Sequence, residues 1–186
     1  MRKAAVPLIV VLVLTSACGA DRKQPEVRGA EVGGFLGPVT YRYDPSLLTA
    51  ANVRISVPAR QEEEVYAVKL LPARGIEGSP DVCPGGAEAC PVEVQPGVTL
   101  ALLERPFDRY AAAVQASELA PGTAPVTVAG AEGIAIDAGT EDGLEVEYRI
   151  VPVDNRALLI MRQRDDQSPE EKQALDHVVA SLDLGG

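Results

Sequence analysis

Alternation of apolar and polar residues dominates the chain. Val53, Ile55 and Val57 fall on one side of an extended backbone and Arg54 and Ser56 on the other, the pattern of a half-buried strand. Similar runs predict strands over Val39–Tyr43, 65–71 and 98–103. The period then changes. Phe107, Tyr110, Ala111 and Val114 recur at the spacing of one helix face, which predicts a helix over 107–118 that packs on the sheet. Alternation returns with Ile134 and Ile136. It continues where Leu144, Val146, Tyr148 and Ile150 interleave with Glu145, Glu147 and Arg149, as in a half-buried antiparallel strand. A turn over 152–155 and a strand over 157–162 complete a meander. Ser168 next offers an N-cap hydroxyl, Pro169 suits the first helical position, and Glu170 and Glu171 oppose the helix dipole. Leu175, Val178, Val179 and Leu182 form the apolar stripe of this closing helix.

A helix after a meander predicts an α+β domain, an antiparallel β-sheet with packed helices. The 186 residues suit one domain of about 100 to 150 residues with an addition. That addition lies at the N-terminus. Arg2 and Lys3 precede an uncharged run to Leu14 and then small residues, the layout of a secretory signal. The run is shorter than the roughly 20 apolar residues that span a bilayer. Its end, Leu14-Thr15-Ser16-Ala17-Cys18, resembles the lipobox of bacterial lipoproteins, with Thr15 where that family usually has Leu. The resemblance implies a signal peptide over 1–17, lipidation of the Cys18 thiol, and acyl chains such as palmitate that hold the protein to a membrane. Residues 18–34 mix Gly with charged residues and show no sustained apolar period. They read as a lipidated flexible tether spanning about 20 to 25 Å, with a single domain over 35–186.

Export implies an oxidising compartment. Cys83 and Cys90 flank a turn-rich loop with Pro84, Gly85 and Gly86, so a structural disulfide between them is expected, with free thiols as the other reading. Closing so small a loop contributes roughly 2.5 kcal/mol on the chain-entropy model. The spacing is not the Cys-x-x-Cys helix start that lowers a thiol pKa. Cys83, Cys90 and His177 are too few for a zinc site, and no cofactor is expected.

The net charge of -10, with 17 basic residues among 27 acidic ones, argues against nucleic acid, whose phosphates need clustered Lys and Arg. Loss of Arg2 and Lys3 with the signal makes the mature chain more acidic still, so the domain should stand off an anionic lipid surface.

Catalytic candidates are sparse. His177, the one histidine, lies about 150° from the centre of the closing helix's stripe and should face solvent. No Gly-x-Ser-x-Gly elbow accompanies it. Residues 137–143 place acids like a calcium loop, but Asp142 stands where Gly is required, and the stretch reads as a turn. Gly130-Ala131-Glu132-Gly133 reads as a strand connection rather than a phosphate cradle. Glu62-Glu63-Glu64 and Asp165-Asp166 read as solvated loop charges. No catalytic or metal-binding residue is assigned.

The helix over 107–118, the strand near Val126 with Gly130, the strands around Gly133 and Tyr148, the run Arg156 to Met161, and a closing helix ending in Ser181-Leu182 together resemble PsbP-like domains and LpqN-type lipoproteins. That resemblance implies an α/β/α sandwich and a non-enzymatic accessory or binding protein. The expected function is a lipid-anchored, extracytoplasmic scaffold for an envelope protein assembly. The alternative is a carrier or sensor of a small apolar ligand held between sheet and helix.

Overall fold

A computed structural model describes residues 31–73, 95–141, 143–164 and 167–185. Cys18, Cys83, Cys90 and Asp165-Asp166 lie outside the described residues. The chain opens with β1 (Val32–Leu36) and β2 (Val39–Tyr43), an antiparallel hairpin turned at Gly37-Pro38. It continues through β3 (Leu48–Val57), β4 (Arg60–Pro72), β5 (Gly97–Leu103) and helix α1 (Phe107–Gln115). A 3-10 turn over Ala120–Gly122 leads into β6 (Thr123–Val128), β7 (Ala131–Glu141), β8 (Leu144–Val153) and β9 (Arg156–Arg164), and helix α2 (Pro169–Ala180) closes the fold.

Strands β3 to β9 make one curled antiparallel sheet in the order β3-β4-β5-β9-β8-β7-β6. Tight turns explain the order. Val57 pairs with Arg60, Val128 with Ala131, and Val153 with Arg156, so each of these hairpins turns in two residues. Ala129, Gly130 and Asp154 take the positive φ that such turns require. β5 then inserts between β4 and β9, matching Val98 to Arg162 and Leu102 to Leu158.

Strand alternation sends side chains to two separate cores. On one face Val98, Leu100, Val151, Leu158 and Ile160 are buried beneath Leu175, Val178 and Leu182 of α2, with Val39 and Tyr41 of the hairpin completing the cover. Ser181 fastens these parts: its Oγ accepts from the Arg42 amide at 2.8 Å, and Thr40 and Asp183 exchange backbone hydrogen bonds of 2.9 Å. On the other face Val53, Ile55, Val57, Ile136, Tyr148, Ile150 and Leu159 pack with Tyr110 and Val114 of α1. The capping box expected at Ser168 is formed. Its Oγ accepts from the Glu171 amide, and the Glu171 carboxylate accepts from the Ser168 amide at 2.8 Å.

The expected α+β class with an α/β/α sandwich is corrected. Strand accounts for 58% of the described residues and helix for 19%, so the fold is β-rich and no helical layer covers either face. Three of the connections are two-residue turns with no room for a helix, and among the described residues the α-helices are α1 and α2. The order of elements resembled a sandwich, but order along a chain does not specify how much of a sheet its helices cover.

Local readings shift as well. β1 starts at Val32, within the stretch read as tether, because Gly33 and Gly34 hide its alternation. Gly34 lies under the Tyr41 ring. The helix predicted over 107–118 ends at Gln115, where the Ser117 hydroxyl donates to the Val114 carbonyl at 2.8 Å and turns the chain. Residues 137–141, read as a turn, belong to β7, with a bulge between Asp137 and Gly139. Among the described residues, no helix is long and apolar enough to cross a membrane.

Candidate functional site

The curl brings the β3–β4 turn opposite the far half of the sheet. An open cleft of about 1010 Å³ lies between Ser56–Glu62 on one side and Ser117–Leu119, Ala138 and Tyr148 on the other. Val57 and Tyr148 are buried at its base, while Gln61, Glu62 and Glu118 are exposed at its rim. Ala59, at the tip of the turn, holds φ at 60°, a left-handed conformation unusual for a residue with a Cβ.

Behind the rim, a hydrogen-bonded group fixes the turn to α1. The Tyr110 hydroxyl donates to Glu63 Oε1 at 2.7 Å, and Arg60 Nε donates to Glu63 Oε2 at 2.6 Å. Arg105 Nε stands 3.7 Å from the same carboxylate, and its amide donates to the Tyr110 oxygen at 3.4 Å. Burial pushes the Glu63 carboxyl up, but bonds from Tyr110 and Arg60 and the charge of Arg105 hold it below the usual carboxylate range. Tyr110 is pushed up to about 12, first by burial and then by the carboxylate it serves. Glu63 is thereby a fixed, ionised anchor that consumes the positive charge of Arg60.

The rim carboxylates differ. Glu62 and Glu118 are exposed and have no ion pair among the described residues, so the mouth of the cleft is acidic. The basic residue nearest the mouth in sequence, Arg60, is bound to Glu63.

The triplet Glu62-Glu63-Glu64 was expected to be solvated loop charge. It instead lies in β4, where Glu63 turns inward to Tyr110 and Glu64 pairs with Arg54 at 3.5 Å. The signal was present, since Glu63 shares parity with Val65 and Ala67, but three acids in a row mask a period of two. Lys69 has the same parity. It is fully buried, and its ammonium donates to Gln163 Oε1 at 2.5 Å.

His177 lies on α2, on the opposite face of the sheet from α1. Its Nε2 comes within 2.9 Å of Glu31 Oε1 without the alignment of a hydrogen bond, and its side chain is 33% exposed. Cys18, Cys83 and Cys90 fall outside the described residues. No group of three or more His, Cys, Asp or Glu with metal-binding geometry occurs among the described residues. Gly130 forms a turn with Ala129, and Ala131 already begins β7, as a strand connection requires.

The space between sheet and α2 is filled. Leu175, Val178, Leu158 and Val151 are each fully buried there. Comparison with family models, curated proteins and solved structures returns no match.

Proposed function

We propose that this chain is a lipid-anchored, non-enzymatic binding protein of a bacterial cell envelope, facing the extracytoplasmic space and holding a protein partner at the open cleft. The carrying observation is the cleft itself: an open recess of about 1010 Å³ with buried Val57 and Tyr148 at its base and exposed Glu62 and Glu118 at its rim. Concave sites with an apolar base and a few polar groups favour recognition. The segment ending at Cys18 supports the anchor. A small apolar ligand between sheet and α2 has less support, because side chains already occupy that space.

The test uses the full chain in membranes with a photo-crosslinking residue at Gln61, on the rim, or at Lys172, on exposed α2. A discrete protein adduct from position 61 and none from 172 is the expected result. Equal labelling from both, or no adduct from either, overturns the binding reading. In parallel, Cys18→Ala should abolish acyl labelling and release the product from membranes or leave it unprocessed. Unchanged labelling would sink the anchor.

A further inference from the structure

Two large aromatic side chains are exposed at the surface, and only one is engaged there. Tyr66 is 72% exposed, with the Arg54 guanidinium 4.6 Å over its ring and Glu64 3.5 Å from that arginine. Phe35 is 75% exposed and makes no ring or cation contact among the described residues. It stands on β1 near the turn of the β1–β2 hairpin, where the chain runs from Val32 to Tyr41 without a charged residue. Gly33, Gly37 and Pro38 are exposed beside it. Single exposed apolar residues are ordinary. An uncharged hairpin end carrying a bare phenyl ring, in a chain of net charge -10, is a local exception to its surroundings.

The hairpin has an inner and an outer face. Val39 and Tyr41 are buried against the core beneath it, and Gly34 lies under the Tyr41 ring. Phe35 pairs with Thr40 and therefore belongs to the opposite, outward side. That side points away from the sheet on its α2 face, whereas the cleft opens with α1 on the other. Basic charge is set back from the tip. Arg42, outward and level with Gly33, is about 7 Å along the strand from Phe35. It pairs with Glu31 at 3.9 Å. Asp183, bridged to Thr40, brings one exposed carboxylate to the same side, so an apolar contact rather than charge attraction is what this tip offers.

Position in the chain names the occupant. β1 is the first described strand, and Glu31, just before it, is thirteen residues beyond Cys18. The start of the hairpin can therefore stand no more than about 45 Å from an acylated Cys18. We infer that the β1–β2 tip is a second, weaker contact with the phospholipid surface that holds the anchor: the Phe35 ring enters the boundary between headgroups and acyl chains, and Arg42 stays level with the phosphates. The inference rests on the lipid-anchor reading above. An anchored chain needs little intrinsic affinity for such a contact, because the covalent link keeps the tip at high effective concentration. The acidic body stays off the surface, and the docked hairpin turns the cleft away from the lipid, toward a partner.

The chain contains no tryptophan, so Phe35→Trp and, as a control, Tyr66→Trp each install a single reporter at an exposed position. Each acylated mature protein is reconstituted in phosphatidylcholine vesicles with and without brominated acyl chains, which quench an indole that reaches them. The reporter at position 35 should lose about half its emission, as a side chain roughly 5 to 10 Å into the interface would. Its emission should also shift to the blue, and both effects should persist at about 0.5 M salt, where charge attraction is screened. The reporter at 66 should be unaffected. Amide exchange of the unsubstituted protein, slowed by vesicles across 33–38 and unchanged across 60–66, gives the same result without a substitution. No quenching at 35, equal quenching at 35 and 66, or quenching at 35 that salt removes overturns the inference. A blue-shifted reporter at 35 without vesicles, together with a dimer in sedimentation, makes a second copy the occupant and overturns the lipid assignment. A protein adduct in place of a lipid adduct from a photo-crosslinking residue at 35 in native membranes overturns it in favour of a partner. The two proposals fail separately. A mature chain with a histidine tag before residue 19, held by nickel-chelating lipids, tests the tip without acylation. Quenching at 35 on that tether, with no acyl group on Cys18 in cells, leaves only the tip standing, whereas acylation without quenching on either tether leaves only the anchor.

Discussion

The Tyr110 hydroxyl on α1 donates to Glu63 Oε1 on β4 across 2.7 Å, joining residues 47 positions apart. The bond fixes the wall of the cleft to α1, which packs on the same face of the sheet. It also gives the fold two pH-sensitive margins. Tyr110 has a raised pKa of about 12, so its contribution is complete below its ordinary 10.0 and is lost as pH rises from there through about 12. Glu63 is lowered, so its contribution is complete above its ordinary 4.5 and is lost as pH falls below that through its folded value. Tyr110→Phe should lower stability at neutral pH by about 1.5 to 3 kcal/mol, the range for a hydrogen bond to a charged group. It should also flatten the alkaline limb. Melting temperatures of parent and variant from pH 9 to 12 check this, and parallel alkaline limbs would contradict it.

Leu175 is fully buried between α2 and the sheet, while His177, two residues on, is a third exposed. Leu175→Ala should destabilise by about 2 to 5 kcal/mol through lost transfer energy and the cavity left behind. His177→Ala should stay within about 0.5 kcal/mol of the parent, since its side chain is a third exposed and its Nε2 makes no aligned hydrogen bond. Denaturant titrations measure both. A folded His177→Ala protein that loses partner capture would assign that face a contact role.

Gly133 of β7 lies against the backbone of its antiparallel neighbour β8. A Cβ added there would come within 2.2 Å of the Ile150 carbonyl oxygen, and a strand backbone has little room to yield. Gly133→Ala should therefore cost about 1 to 3 kcal/mol, the range for overpacking. Gly130→Ala should also destabilise, for a different reason, because its φ of 83° strains any residue with a Cβ. Thermal melts separate the two sites if combined with amide exchange: only Gly133→Ala should speed exchange in β8.

Cys83 and Cys90 lie outside the described residues, and their pairing is expected from export and the Pro-Gly-Gly loop between them. Intact mass of the mature protein should fall two hydrogens short of the reduced form. Two thiols that alkylate in freshly isolated native protein would refute the bond.

The sequence by itself determined the local elements wherever one short period ran without interruption. Leu144 to Ile150 alternates without a break and is β8, and Ser168, Pro169 and Glu171 together form the cap of α2. Both depend on neighbours within a few residues. β1 was not legible, because two glycines remove its pattern and its partner β2 supplies the pairing. Nor was Glu63, whose role exists only once Tyr110 approaches from α1. The same limit produced the sandwich expectation. Alternation reveals that a strand has an inner face, but not how far a sheet curls or what covers it. Curl, the β5 insertion between β4 and β9, and the cleft between distant sheet regions arise from twist accumulated over seven strands and from contacts far apart in sequence. Those contacts are stabilised collectively by burial, so tertiary structure alone decided that Glu62 and Glu118 would stand at the mouth of one cleft.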